Sequence, residues 1–446
     1  MIHKVLYKNI TLTFSFLLWF FLFGSINIYP NNLLNIKSVF DFVDAARIII
    51  PITIGVLIFI FLIIKILKNK KKISISNYLT IFFFIFFFQL IGAFFEDRIN
   101  FETLYVIFFS FSLILLFVFV EYLKIQRVYY FFLYSLIFFI LTACLIIFVL
   151  KFEEFFLSAK ALNFYAIFHP DISIIGHAPP RATGYSRMLA ILTIFMIAWV
   201  EKKKNTIKNP STYLVLFLAT TIWLFQSRGT YLCYIASVLS IIFILNHKNN
   251  LYRKITKFFF YIFAPIVISF FLSILFSYQN IIFPKKKIEN SKGVTVNNRI
   301  VSDKTSSGRI ELWSAGIKEF NKKNIFGYGP QADRIILTKK YKNTDTLDRY
   351  GNNVSNGLVY TFLSGGYLSA LLFIILYLKN ISLVLQYIKK SRIRAHLPTD
   401  LSLIYIIFFS IRSLIENSYA VWGIDQMFVL ISMGILNFKL ANNKAI

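Results

Sequence analysis

The sequence predicts an all-α fold, a polytopic bundle of about twelve transmembrane helices. Hydrophobic residues make up 57% of the 446 residues, and the mean hydropathy is +0.67, whereas soluble proteins average roughly 45–50% apolar residues. The apolar residues are concentrated in almost uncharged blocks of roughly 18–22 residues, the length at which an α-helix crosses about 30 Å of hydrocarbon. Because the core helices of soluble proteins are shorter and carry a polar face, these blocks predict membrane spans.

The apolar blocks define the candidate helices, and no repeat of fixed period is visible among them. In chain order they cover about residues 10–29, 48–66, 78–95, 103–120, 128–150, 184–200, 211–226, 229–246, 257–278, 356–378, 401–416 and 421–438. The first block lacks a clear small-residue cleavage site, so we expect it to remain as a helix. Cys144 and Cys233 lie inside such blocks, where small buried apolar residues are expected rather than a disulfide or metal ligands.

The net charge of +28 comes from basic residues whose placement indicates the membrane topology and not nucleic-acid binding. A nucleic-acid-binding protein would gather Lys and Arg on one face of a soluble domain, whereas here they lie between the apolar blocks. Most of them fall in alternate connections, such as Lys65–Lys72 and Lys379–Arg394, and basic connections stay in the cytoplasm. The sequence therefore predicts a multi-pass protein of the bacterial inner membrane with both termini in the cytoplasm.

This topology predicts one integral membrane domain, residues 1–446, with two long periplasmic loops, residues 151–183 and 279–355. Long loops are translocated whatever their charge. A connection as long as the second is usually functional or disordered. We therefore expect any reaction to take place at the outer face of the membrane.

Arg228 lies in a short turn, Phe225–Thr230, between two predicted helices. Ser227 can cap the second helix, and Gly229 permits a tight turn. A helix N-terminus beside a guanidinium group is an anion-binding arrangement. The alternative is an arginine that extends to lipid phosphates as an interfacial anchor, and the sequence leaves both open.

Arg181 and Arg187 flank the predicted entrance to the sixth helix. Phosphate binding and interfacial anchoring are again the two interpretations. His169 and His177 precede them and are candidate acid–base groups, with ordinary surface histidines as the alternative.

The second half of the long loop predicts an amphipathic helix. Its apolar residues recur at three- and four-residue steps: Ile310, Trp313, Ile317 and Phe320. This face is expected to lie in the outer membrane interface or against the bundle. Arg309 falls in the first turn, and the glycine-rich segment Ile325–Pro330 is expected to redirect the chain.

Arg412 and Glu416 fall four residues apart on the eleventh predicted helix, so they would share one face and can pair. A charge at mid-bilayer costs roughly 2.5–3.5 kcal/mol, so such residues face a partner or a cavity. A functional pair near the outer surface and a structural pair that orients two helices are both consistent with this spacing. The chain has no phosphate-binding loop, no H-E-x-x-H and no D-x-D motif, so neither a cofactor nor a metal is predicted.

In this order and spacing, these features resemble the O-antigen ligase/polymerase superfamily. The resemblance runs from about Arg181 to Gly366. The motifs that carry it are Ser227–Gly229, Arg309-x-x-Leu312-Trp313, Gly327-x-Gly329, and Ser355-Asn356 with Gly366. The resemblance implies metal-independent glycan transfer from undecaprenyl diphosphate at the periplasmic face, with the diphosphate held by arginines.

The resemblance implies that Arg181, Arg228 and Arg309 hold the diphosphate, and the residue patterns add further candidates. The catalytic candidates are Arg228, Arg309, Glu416 and His177, of which Glu416 and His177 are the candidates for the general base. The candidate substrate-binding residues are Arg181, Arg187, Trp313, Ser355, Asn356 and Arg412. The implied partners are an undecaprenyl-diphosphate-linked oligosaccharide, the lipid bilayer and a protein that regulates chain length, with no nucleic acid.

Members of the superfamily differ in the acceptor molecule to which they transfer the glycan. Ligases, which transfer glycan to lipid A–core, carry a histidine, then Asn, Ser or Gln, then nine residues and a glycine. Here Ser355-Asn356 is followed by nine residues and Gly366, and serine cannot replace imidazole as a base at neutral pH. This departure favours an O-antigen polymerase, whose acceptor is a second lipid-linked repeat unit, over a ligase.

A flippase or transporter of the same lipid-linked glycan is the alternative from another class. Transporters usually have charged, broken helices in mid-membrane and internal repeats. The sequence indicates neither, and transport does not explain the long outer loop.

Overall fold

The computed structural model describes residues 13, 17–22, 39–69, 75–97, 99, 101–150, 182–202, 210–224, 227–245, 250–272, 309–321, 325–333, 336, 354–390, 396–418 and 423–442. All regular secondary structure within these ranges is helical, which confirms the all-α prediction. Seven of the described helices are long and apolar enough to cross a membrane. The chain is therefore a multi-pass membrane protein.

The helices follow the predicted apolar blocks. Helices α1 to α4 are Val39–Asn69, Asn77–Phe95, Phe101–Leu123 and Gln126–Leu150. Helices α5 to α8 are Ala182–Lys202, Pro210–Leu224, Arg228–Ser240 and Leu251–Phe258, and the last two continue into π-helical turns, Ile241–Leu245 and Phe259–Phe263. Helices α9 to α12 are Arg309–Phe320, Gly357–Lys390, Leu397–Ser413 and Ile424–Asn442. Of the first predicted span, the structure describes residues 13 and 17–22, which are helical.

The chain divides into two compact units. Unit 1 comprises Met1–Leu133, Arg299–Gln386 and Ser413–Ile446, and unit 2 comprises Tyr134–Asn298 and Tyr387–Arg412. The prediction that residues 1–446 form one membrane domain stays a prediction, as do the two periplasmic loops.

In unit 1, small residues bring α1 and α3 close together. A Cβ atom added to Gly55 would lie 2.0 Å from Ser112 Oγ, so the two helices touch through their backbones at this point. Elsewhere on α1, Val56, Leu57 and Phe59 are exposed. Lipid supplies no hydrophobic driving force between helices, so close contacts of small residues hold spans together while large apolar side chains face the hydrocarbon.

In unit 2, polar contacts join the helices. The Lys202 ammonium group lies 2.8 Å from Asp400 Oδ2, and the Tyr405 hydroxyl donates to the Ile191 carbonyl at 3.1 Å. Cys144 and Cys233 are both buried, as predicted.

Candidate active site

Helix α9 packs against the start of α10 through small residues. Ala315 and Gly316 are buried, and a Cβ atom added to Gly316 would lie 3.0 Å from side-chain carbons of both Val354 and Val359. The backbone of α9 therefore packs directly on the valine side chains at the start of α10. A helix is thus confirmed in the second half of the long loop.

The predicted apolar face of α9 is buried only in part. Phe320 is almost fully buried and Trp313 is half-buried, whereas Ile310 and Ile317 are 59% and 47% exposed. Leu312, outside the predicted face, is also almost fully buried. Whether the exposed isoleucines lie in the outer membrane interface stays a prediction.

Helix α10 is broken at Gly366, where φ is 71° and ψ is −164°. The segment after α9 closes this break with its own backbone. The Tyr328 and Gly329 N–H groups donate to the Leu363 and Ser364 carbonyls at 2.7 and 2.8 Å. In return, the Tyr367 N–H donates to the Ile325 carbonyl at 3.1 Å. The loop thus replaces a turn of the helix and satisfies backbone groups that would be costly to leave unpaired in a membrane.

These backbone hydrogen bonds between the loop and α10 require glycine in the Gly-x-Gly motif and at position 366. A Cβ atom on Gly366 would lie 1.7 Å from the Ile325 carbonyl oxygen, and one on Gly327, whose φ is 64°, would lie 2.6 Å from the Gly366 nitrogen. Helix α2 contributes a third close contact, since a Cβ atom on Gly92 would lie 2.3 Å from the Phe326 carbonyl oxygen. These motif glycines therefore form one packed corner, which we call the re-entry corner: residues 325–333 and 354–367.

Asn356 caps the N-terminus of α10. Its side-chain oxygen accepts hydrogen bonds from the Leu358 and Val359 N–H groups, each at 3.0 Å, which is a standard N-cap arrangement. Its side-chain amide donates to the Leu414 carbonyl at 2.9 Å. Asn356 therefore ties α10 to the turn that follows α11.

Asn356→Ala is expected to lower the melting temperature of the detergent-solubilised protein. The change removes a helix cap worth about 1 kcal/mol together with the hydrogen bond to Leu414. Asn356→Asp keeps the two capping bonds but cannot donate to Leu414, so it should melt between wild type and Asn356→Ala. Equal melting temperatures for the three proteins would contradict the capping role.

Two further polar residues reach the corner from distant parts of the chain. Asp333, 2% exposed, accepts the Val354 N–H at 3.2 Å through Oδ2. Asn417 accepts the Asn356 N–H at 2.8 Å and donates to Asp333 Oδ2 at 3.5 Å. Between them lies Ser355, which has a left-handed backbone with φ of 44°. The sequence reasoning missed Asp333 and Asn417, because only the folded chain shows that they flank Ser355.

Carboxylates surround the turn that follows α9. The Tyr328 hydroxyl donates to the Glu319 carbonyl at 3.0 Å. Partial burial, together with the nearby Glu319 and Glu96 carboxylates, raises the pKa of Tyr328. The phenol therefore stays protonated at neutral pH and keeps its donor role. Phe95, which precedes Glu96, stacks on Phe326 with ring centroids 5.1 Å apart.

The helix that was predicted to carry both Arg412 and Glu416 is shorter than expected. Helix α11 ends at Ser413, so Arg412 is in its last turn and Glu416 lies in the turn beyond it. The pairing of the two residues stays a prediction. The chain leaves the helix here because Leu414 and Asn417 bond to Asn356 of α10 instead. Arg412 is buried and Glu416 is half-buried.

Residues 213–374 match a family model described as O-antigen ligase. This match supports the resemblance to the O-antigen ligase/polymerase superfamily over that part of the chain. The matched range contains α9, the glycine turn and the broken part of α10, so the family motif and the re-entry corner coincide. A comparison with curated proteins finds no match.

The remaining family positions lie at the starts of helices. Arg309 begins α9 and Arg228 begins α7, as the motif predicted, although their side chains are outside the described part of the structure. Arg187 is half-buried in α5. Arg181, His169 and His177 lie outside the described residues. Arg309, Trp313, Ser355, Asn356 and Glu416 belong to unit 1, and Arg187, Arg228 and Arg412 belong to unit 2.

The serine of the serine–arginine turn does not cap its helix as predicted. Ser227 holds the N-cap position of α7, but its side chain makes no capping hydrogen bond. Its hydroxyl pairs instead with the Thr230 hydroxyl at 2.9 Å. The turn is closed by Tyr231, which donates to the Trp223 carbonyl and stacks on the Trp223 ring with centroids 4.2 Å apart.

Proposed function

We propose that this protein is an O-antigen repeat-unit polymerase of the bacterial inner membrane. In this function it transfers the growing glycan from undecaprenyl diphosphate to the next lipid-linked repeat unit at the periplasmic face. The observation that carries the proposal is the re-entry corner. This corner keeps the Asn356 and Gly366 of the motif at their spacing, yet the position of the ligase histidine holds Ser355, which cannot act as a base at neutral pH.

The proposed reaction forms a bond between an acceptor hydroxyl oxygen and the anomeric carbon of the donor. The bond from that carbon to the diphosphate oxygen breaks, and the carrier leaves as undecaprenyl diphosphate with the electron pair. Arginines would stabilise the charge that develops on this leaving group without a metal ion. Arg181, Arg228 and Arg309 are the proposed diphosphate ligands, and Arg187, Arg412 and Trp313 are further substrate contacts.

The acceptor hydroxyl must lose its proton to a base. Glu416 is half-buried in the turn joined to Asn356 through Leu414 and Asn417, so it is near the residues that frame Ser355. His177 remains the second candidate. The side-chain amide of Asn356 and the Ser355 hydroxyl are proposed to contact the substrate at this point.

The geometry also bears on the transporter alternative. Helix α10 is broken, which the sequence did not indicate, but the break carries no charge and its carbonyls are already bonded to Tyr328 and Gly329. In transporters, unwound backbone carbonyls and free helix ends coordinate the transported ion or substrate. A break closed by the protein's own backbone favours a fixed scaffold for a reaction over a transport site.

The lipopolysaccharide banding pattern of a host deleted for this gene tests the proposal, provided that its ligase is intact. We expect a collapse to core plus a single repeat unit, because unpolymerised units are still ligated. Bare core with long glycan on the carrier lipid would show a ligase instead. Repeat units trapped on the cytoplasmic side would show a flippase.

A further inference from the structure

Ser355 has a backbone conformation that serine adopts only at a cost. Its φ of 44° lies in the left-handed region, where the Cβ atom crowds the following carbonyl oxygen. Such strain persists when surrounding contacts hold it in place, and it is concentrated at functional sites. The contacts on either side of Ser355 therefore show what maintains it.

The backbone N–H groups before and after Ser355 are both held by side chains. The Val354 N–H donates to Asp333 Oδ2 at 3.2 Å, and the Asn356 N–H donates to Asn417 Oδ1 at 2.8 Å. The two holding residues also bond to each other, since Asn417 Nδ2 lies 3.5 Å from Asp333 Oδ2. Together they form a clamp across the strained residue.

Asp333 is itself fixed in place. It is buried, and the segment before it is tied to α10 by the Gln331 N–H, which donates to the Tyr360 hydroxyl at 3.1 Å. A rigidly held acceptor can impose a conformation on the loop that bonds to it. The Oδ2 atom accepts both hydrogen bonds of the clamp, so a neutral oxygen at the same place would serve equally well.

We propose that Asp333 is a positioning residue, which acts as a hydrogen-bond acceptor that holds Ser355 in the left-handed conformation needed for glycan transfer. This inference rests on the proposed function and deepens it. It assigns Asp333 no proton transfer and no contact with substrate. Its effect on the reaction passes entirely through the backbone of Ser355.

A double-mutant cycle with Ser355→Gly tests this, because glycine adopts positive φ without the steric cost of a side chain. The assay uses the full-length protein in lipid nanodiscs and lipid-linked repeat units isolated from the deletion strain. Without the clamp, the left-handed state of Ser355 should be about tenfold less populated. We therefore expect Asp333→Ala to lower kcat about tenfold with the donor KM unchanged. In the Ser355→Gly background the same change should cost less than about threefold.

The Asp333→Asn variant distinguishes a role of Asp333 as a hydrogen-bond acceptor from a role as a base. Its amide oxygen can take both hydrogen bonds without a charge, so we expect its kcat to remain near that of wild type. An Asp333→Asn protein as impaired as Asp333→Ala would overturn the proposal and assign the carboxylate a charge-dependent role. Should Asp333→Ala fail to accumulate in the membrane, Asn417→Ala provides the same cycle from the other side of Ser355.

Glu121→Ala is the matched control. This carboxylate also organises unit 1, since it accepts hydrogen bonds from the Ser76 hydroxyl at 2.7 Å and the Tyr78 hydroxyl at 3.0 Å. It contacts Tyr78 at the start of α2, about 21 Å along the helix from Gly92, where α2 meets the corner. Its effect should be the same in the wild-type and Ser355→Gly backgrounds. If Glu121→Ala and Asp333→Ala were equally coupled to Ser355→Gly, the effect of the clamp would be a general effect on folding, and the inference would be contradicted.

The failure of the proposed function would look different. If the deletion strain carries polymer on its carrier lipid and the protein transfers it to lipid A–core, the polymerase assignment is wrong. The same double-mutant cycle, with glycan transfer to lipid A–core as the measured activity, still decides whether Asp333 acts through Ser355. An Asp333→Ala cost that is equal in both backgrounds overturns the clamp, whichever product is formed.

Discussion

Gly366→Ala is expected to abolish long-chain glycan and to lower the thermal stability of the protein. The backbone of Gly366, with φ of 71° and ψ of −164°, lies in a region that only glycine commonly occupies, and such strain costs about 1–3 kcal/mol. The added methyl carbon would also lie 1.7 Å from the Ile325 carbonyl oxygen. That atom accepts the Tyr367 N–H, so the clash would break the hydrogen bonds that close the helix.

The effect should reach the proposed catalytic residues because the corner is built as one unit. If residues 325–329 leave α10, the Leu363 and Ser364 carbonyls lose their donors. The segment that leads to Asp333 then loses its anchor, and with it the contact to the Val354 N–H. We therefore expect loss of chain growth even if some protein still inserts and folds elsewhere.

Gly423→Ala is the matched control for Gly366→Ala. Gly423 also has positive φ, 144°, but a Cβ atom there would meet no atom of the described residues within 4 Å. Its replacement introduces backbone strain without a clash, so the loss of melting temperature should be smaller. The measurements are thermal unfolding in detergent and the banding pattern after complementation of the deletion strain. Wild-type banding and melting from Gly366→Ala would mean that the helix is not broken as described.

The helices could be predicted from the sequence because a membrane span is a local property. A run of apolar residues identifies a helix wherever its neighbours lie, and α2, α3 and α4 match their predicted blocks to within a few residues. The glycine turn was likewise predictable, because Gly327 and Gly329 are strong turn signals. What these glycines contact, the carbonyls of a broken helix, is not written in any local pattern.

The rest depended on contacts between distant residues. Asp333 and Asn417 are 84 positions apart in the chain, and neither belongs to a recognisable motif. The packing of α9 at Gly316 was not predicted, because periodicity weighs Ile310 and Ile317 above Gly316, whereas close packing in a membrane favours the smaller residue. Glu416 was placed on a helix that ends three residues earlier, where bonds to Asn356 replace the helical ones.

Arg309→Ala and Arg228→Ala are each expected to reduce chain growth at least about 100-fold, the loss typical when one group that stabilises transition-state charge is removed. Both arginines begin a helix, α9 and α7 respectively, where the helix dipole also favours an anion. Membrane insertion should be unchanged, because other contacts hold both regions. Gly316 packs α9 against Val354 and Val359, and Tyr231 closes the turn before α7.

Two controls separate a specific guanidinium from the general positive charge of the chain. Lys318→Ala removes an exposed cation from the same helix as Arg309, and Arg253→Ala removes an exposed arginine from α8; both should polymerise normally. Arg309→Lys should recover little activity, because an ammonium group cannot form the bidentate contacts of a guanidinium group. The assay is the banding pattern of the complemented deletion strain, with protein in the membrane fraction measured alongside. If the Arg309→Ala or Arg228→Ala protein still makes long-chain glycan, that arginine is not a diphosphate ligand. An equal loss of chain growth from Lys318→Ala would show that loop charge alone attracts the substrate.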